Sequence, residues 1–115
     1  MNANSPQAAA QNARVLLLID DEPNVLYSLR RHFQRLDYNV FVAENGQQAL
    51  TILEQNLVDV IITDMRMPTM SGADLLQEVS ARWTTAVRIL LTGYADLKVT
   101  TDAIRAGPID HFTTR

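Results

Sequence analysis

Apolar residues along this chain follow two alternating patterns. Some form short, nearly continuous runs rich in β-branched side chains, and others recur every three or four positions in longer stretches. Runs of the first kind, Val15-Leu16-Leu17-Leu18-Ile19 and Val58-Asp59-Val60-Ile61-Ile62-Thr63, suit strands buried on both faces of a parallel sheet. The pattern predicts strands near 14–19, 39–43, 58–63, 87–91 and 109–113, with helices between them. The first helix follows Asp21-Glu22-Pro23, where acids and a proline suit a helix N-terminus, and sets Val25, Leu29, Phe33 and Leu36 on one face. The second begins around Asn45-Gly46 and buries Ala49, Ile52 and Leu53; the third follows Ser71-Gly72 and buries Leu75, Leu76 and Val79. A fourth, with a weaker apolar stripe, runs from about Ala95 to Ala106 and stops at Gly107-Pro108. Strands alternating with helices through short connections describe an α/β protein with a parallel sheet.

Residues 1–13 carry few large apolar groups and no periodicity, so a disordered tail is expected there, with one ordered domain over 14–115. At 115 residues and 47% hydrophobic content the chain can bury one core. A net charge of −3 gives no reason to expect direct nucleic-acid binding. The absence of cysteine excludes disulfides, thiolate metal sites and cysteine nucleophiles. The longest apolar runs are strand-sized and no leader pattern opens the chain, so a cytoplasmic protein without a membrane span is expected.

The candidate chemistry is acidic. Asp20 and Asp21 end the first apolar run and Asp64 ends the third, so a parallel sheet brings three carboxylates to one edge. Like charges so placed repel unless a cation sits among them, and an all-oxygen ligand set favours Mg²⁺. The acidic pair by itself is equally compatible with capping the first helix. A lone threonine such as Thr92 is most often only a strand-end residue. His32, His111, Trp83 and Tyr94 read as solvated or packing residues, and Met65, Met67 and Met70 as loop packing.

Taken together, Asp20-Asp21 after the first strand, Asp64 in D-M-R-M-P-T-M-S-G after the third, and Thr92 after the fourth resemble the receiver domain of two-component response regulators over residues 14–115. The resemblance implies a CheY-like, flavodoxin-like doubly wound sheet of strand order 2-1-3-4-5. It implies Asp64 as the phosphoacceptor, attacking a phosphoryl group carried by a sensor histidine kinase, a phosphotransfer protein or a small donor. Mg²⁺ would be held by Asp21, Asp64 and the backbone carbonyl of Arg66, with Asp20 acting mainly through water. Thr92 and Phe112 would form the switch, and the new phosphoryl charge would pull the Thr92 hydroxyl and its loop inward. Pro68 would fix a turn beyond the nucleophile, and Gly72 would permit an unusual φ or a close approach. Such a module signals rather than catalyses, beyond phosphorylating itself from small donors and losing that group again.

Two departures from the family pattern stand out. The family lysine at the end of the fifth strand is replaced by Arg115, a planar and bulkier cation, which predicts slower phosphorylation. No fifth helix follows, so the domain is expected to be incomplete at its C-terminal end and to hide the exposed face by homodimerisation or element swapping. These departures keep open a pseudo-receiver, a protein-binding module that works without phosphorylation. An aspartate-dependent phosphatase is disfavoured because position 22 is Glu and the central acid comes from the third strand. The string L-T-G-Y-A-D at 91–96 resembles receivers joined to cyclic-dinucleotide phosphodiesterase domains or hydrogenase-type transcription regulators, making an output domain or downstream effector an expected partner.

Overall fold

The computed structural model describes residues 13–83, 85–92 and 110–114. Among these residues, five parallel strands, β1 (Val15–Ile19), β2 (Asn39–Ala43), β3 (Val60–Asp64), β4 (Val87–Thr92) and β5 (His111–Thr114), form one sheet in the order β2-β1-β3-β4-β5. Among the described residues, three helices, α1 (Pro23–Arg35), α2 (Gly46–Gln55) and α3 (Gly72–Arg82), connect them. This is the flavodoxin-like order expected from the sequence. The predicted tail up to residue 12, the predicted fourth helix and Arg115 lie outside the described residues.

The sheet separates two apolar layers. Leu16 and Leu18 of β1 join Val40 and Leu26 on one face, with Leu29 and Phe33 of α1 packed against them. On the other face Leu17, Ile19, Ile61 and Leu90 meet Ala49, Ile52 and Leu53 of α2 and Leu75, Leu76 and Val79 of α3. Burial on both faces explains why the strand sequences run apolar without alternation.

α2 and α3 bury the residues their periodicity predicts, and α2 adds Leu50. α1 departs from prediction. Leu26 is its buried residue, Val25, Leu29 and Phe33 are half-buried, and Leu36 is 55% exposed. The cause is geometric: Leu36 is the C-cap, where the backbone leaves helical geometry, so it falls off the stripe that Leu26, Leu29 and Phe33 complete. Asn45 caps α2 by accepting the Gln48 N–H at 2.8 Å, and Ser71 caps α3 by accepting the Asp74 N–H at 3.1 Å. Trp83 packs against the larger core cluster, with the Arg82 guanidinium 4.3 Å from its ring centre.

Candidate functional site

Successive strands of a parallel sheet end at the same edge, so the loops after β1, β2 and β3 open there together, beside the end of β4. Asp20 follows β1 directly, and its N–H donates to the Ala43 carbonyl of β2 at 3.2 Å. Its Oδ1 accepts the Glu22 N–H at 2.9 Å, which shapes the turn into α1. The N-cap of α1 is Glu22, without a side-chain cap bond, so the acidic pair is not the helix cap itself. Asp64 is the last residue of β3, one position later than the predicted strand end.

One carboxylate oxygen from each of Asp20, Asp21 and Asp64 lies within 4.8 Å of the other two. Asp20 and Asp64 are buried at 1% and 4% exposure, whereas Asp21 is exposed. The cluster therefore has a dry floor and a wet mouth. Oxygens bound to one Mg²⁺ at about 2.1 Å lie at most about 4.2 Å apart. Adjacent ligands of an octahedral ion lie nearer, about 3 Å apart, so a contraction of up to about 2 Å would gather these oxygens around it directly, and less where a water bridges one of them; an all-oxygen set of this kind fits the ion. Two clefts flank the cluster and share Asp21. One, of about 410 Å³, is lined by Glu44, Gly46, Thr69 and Met70; the other, of about 530 Å³, by Met65, Arg66, Met67 and Ser71, and Pro68 borders both.

Backbone bonds hold the loop after Asp64. The Met65 N–H donates to the Leu91 carbonyl at 2.9 Å, and the Gly72 N–H donates to the Met65 carbonyl at 2.8 Å. The Thr63 hydroxyl donates to the Asp64 carbonyl at 3.1 Å. The Met70 N–H closes a three-residue turn on the Pro68 carbonyl at 2.8 Å, with Thr69 between them at φ 73°. Pro68 thus begins a turn. Gly72 has the close-approach role: a Cβ there would stand 2.9 Å from the Asp64 carbonyl carbon and 2.8 Å from Leu90 Cδ1.

Thr92 ends β4 and is fully buried, one position beyond the Leu91 that stands opposite Asp64 in register. The structure thus brings Asp20, Asp21 and Asp64 together and sets Thr92 on the strand beside Asp64. Phe112 lies on β5 opposite Leu90. Glu44, which the sequence pattern alone does not single out, follows β2 as Asp20 follows β1 and lines the smaller cleft.

The family model for the response regulator receiver domain matches residues 16–113. This chain belongs to that family. It is 36% identical over 99 residues to the transcriptional regulatory protein KdpE of Mycobacterium tuberculosis, covering 86% of this chain and 43% of KdpE. The receiver spans less than half the length of KdpE and of AtoC from Escherichia coli, of which it covers 21%. Among solved structures, the signal receiver domain of an HD domain-containing protein from Pseudomonas fluorescens superposes with a TM-score of 0.84 at 32% identity, covering 90% of this chain and 83% of that one. The response regulator protein TrrA from Thermotoga maritima, solved in complex with Mg²⁺-BeF, gives 0.79 at 29% identity, covering 89% and 86%. Receivers are signalling domains of two-component systems, and no helix among the described residues is long and apolar enough to cross a membrane.

Proposed function

We propose that this receiver accepts a phosphoryl group on Asp64 from a sensor histidine kinase or phosphotransfer protein, and that Thr92 and Phe112 convert the modification into altered contacts with an output domain or effector. The observation that carries the reading is the convergence of the Asp20, Asp21 and Asp64 carboxylates within 4.8 Å at the sheet edge. An Asp64 carboxylate oxygen attacks phosphorus, a P–O bond forms, and the donor group leaves with the electrons of the bond that breaks. β3 and the Met65 and Gly72 backbone bonds hold that carboxylate in place.

Asp21 and Asp64 would hold Mg²⁺ directly with the Arg66 carbonyl, and Asp20 would act through water. When bound, the ion supplies charge neutralisation for the phosphoryl oxygens. Burial of Asp20 and Asp64 keeps bulk water from competing for these groups. The Thr92 hydroxyl is the donor for a phosphoryl oxygen, and its place beside Asp64 supports that role. Arg115, which the resemblance sets at the family's lysine position, would be the second cation and would slow the transfer, because a planar fork replaces a compact ammonium. The module begins at Arg14 and works in the cytoplasm; self-association through its apolar face is part of the same reading.

The test is intact mass after incubation with acetyl phosphate and Mg²⁺. One phosphoryl group gained by the wild type, and lost on chelation or in Asp64→Asn, is the expected result. Gain that persists in Asp64→Asn would move the acceptor elsewhere.

A further inference from the structure

Among the described residues, β5 lies at the edge of the sheet and pairs only with β4; its four residues stand opposite Ile89, Leu90, Leu91 and Thr92. So short an edge strand has little of its own to fix register, and a slip of one residue would turn each of its side chains to the opposite face. The residue just before the strand compensates. Asp110 Oδ2 accepts the Arg88 N–H at 2.8 Å, and the Asp110 N–H donates to the Arg88 carbonyl at 2.9 Å. Asp110 thus engages both backbone groups of a single β4 residue. Its Oδ1 also lies 3.7 Å from Arg88 Nη2. The guanidinium is itself anchored, because Arg88 is buried and its Nη1 donates to the Ala86 carbonyl at 3.1 Å.

The same clasp occurs at the centre of the sheet. Asp59, just before β3, accepts the Val15 N–H through Oδ2 at 2.8 Å and donates its own N–H to the Val15 carbonyl at 2.9 Å. β3 also has β4 on its other side, and the Val87 N–H donates to the Asp59 carbonyl at 2.9 Å. Among the described residues, β5 has no strand on its outer side. There the clasp gains an ion pair between the buried Arg88 guanidinium and the Asp110 carboxylate, whose side chain is 39% exposed.

We propose that Asp110 and Arg88 form the register lock of β5, which makes Asp110 a positioning residue for the strand that carries Phe112 and leads to position 115. The lock sets Phe112 opposite Leu90 and Thr114 opposite Thr92. Without it Phe112 can change faces relative to Thr92, and the two switch residues lose their fixed relation. The lock stands on geometry alone, whereas its consequence for signalling rests on the roles proposed above for Phe112 and Arg115.

Residue-resolved amide hydrogen exchange by NMR on wild type, Asp110→Ala and Asp110→Asn tests it. In Asp110→Ala the amides of 88–92 and 110–114 should exchange at least tenfold faster, while those of β1 and β3 change less than threefold. Asp110→Asn keeps an oxygen of similar position, so its loss should be local and smaller. An unchanged pattern, or acceleration spread evenly over β1, β3 and β4, would overturn the lock in favour of no role or a general stabilising one. If Asp110→Ala does not fold, the pattern in Asp110→Asn decides by the same criterion. The positioning role has its own readout. With Mg²⁺ and beryllofluoride, a phosphoryl mimic, Asp110→Ala should keep the chemical-shift response around Asp64 and lose it at Phe112; a wild-type response at Phe112 would overturn positioning. A wild type that fails to respond at Asp64 counts against the phosphoacceptor reading and leaves the exchange test in force.

Discussion

Gly72 sits directly over the backbone carbonyl of Asp64, so close that a Cβ at position 72 would stand 2.9 Å from the carbonyl carbon and nearer still to its oxygen. The obstacle is backbone, which cannot swing aside as a side-chain tip can. Gly72 also donates its N–H to Met65, so α3 begins in contact with the end of β3.

Gly72→Ala should therefore destabilise the fold by about 1–3 kcal/mol, the usual range for overpacking a tight site. Urea unfolding followed by the fluorescence of Trp83, which packs on the core, measures this. Because the strain falls on Asp64 itself, the variant should also phosphorylate more slowly than a surface change of equal stability.

Thr69 offers the opposite opportunity. It holds φ 73° between Pro68 and Met70, a region that is costly for a β-branched side chain by about 1–2 kcal/mol. Thr69→Gly removes that penalty and adds about 0.5–1 kcal/mol of unfolded-chain entropy. A net gain of between zero and about 1.5 kcal/mol is expected, read as a Tm equal to or up to a few degrees above that of the wild type. A lower Tm would mean that the threonine side chain contributes a compensating contact.

The three carboxylates should separate by role. Asp21 is exposed, so Asp21→Asn should leave the unfolding free energy from urea denaturation within about 0.5 kcal/mol of wild type while weakening Mg²⁺ binding about tenfold or more in a titration followed by NMR. Asp20→Asn keeps an oxygen for the Glu22 N–H and should fold normally with weaker ion binding. Asp20→Ala removes that acceptor too, and should cost a further 1–3 kcal/mol or so. Equal ion affinity in all four proteins would remove the metal site from the proposal.

Two leucines of the same size give a test of the core. Leu75 is fully buried in α3, and Leu75→Ala should cost about 2–5 kcal/mol. Leu57 is 93% exposed, and Leu57→Gln should change stability by less than about 0.5 kcal/mol. Chemical denaturation of both variants checks the assigned layers.

Periodicity along the chain was enough to place β2 at its observed limits and to name the buried faces of α2 and α3, because those faces repeat at the helix period. The carboxylates Asp20, Asp21 and Asp64 were legible for a related reason: residues that end parallel strands share one edge whatever the details of packing. Local pattern failed at Leu36, where the helix ends before the stripe does, and it passed over Leu26. It left the reason for Gly72 open between backbone conformation and close approach, which only the position of the Asp64 carbonyl decides. The division of the acidic cluster into buried Asp20 and Asp64 and exposed Asp21 is likewise tertiary, as is the Arg88–Asp110 pair, whose partners lie 22 residues apart. Sequence determines which residues repeat at the period of a helix or a strand, since that depends on near neighbours. Which atoms meet across the sheet depends on where distant segments pack, and that is fixed only when both faces of the sheet are covered.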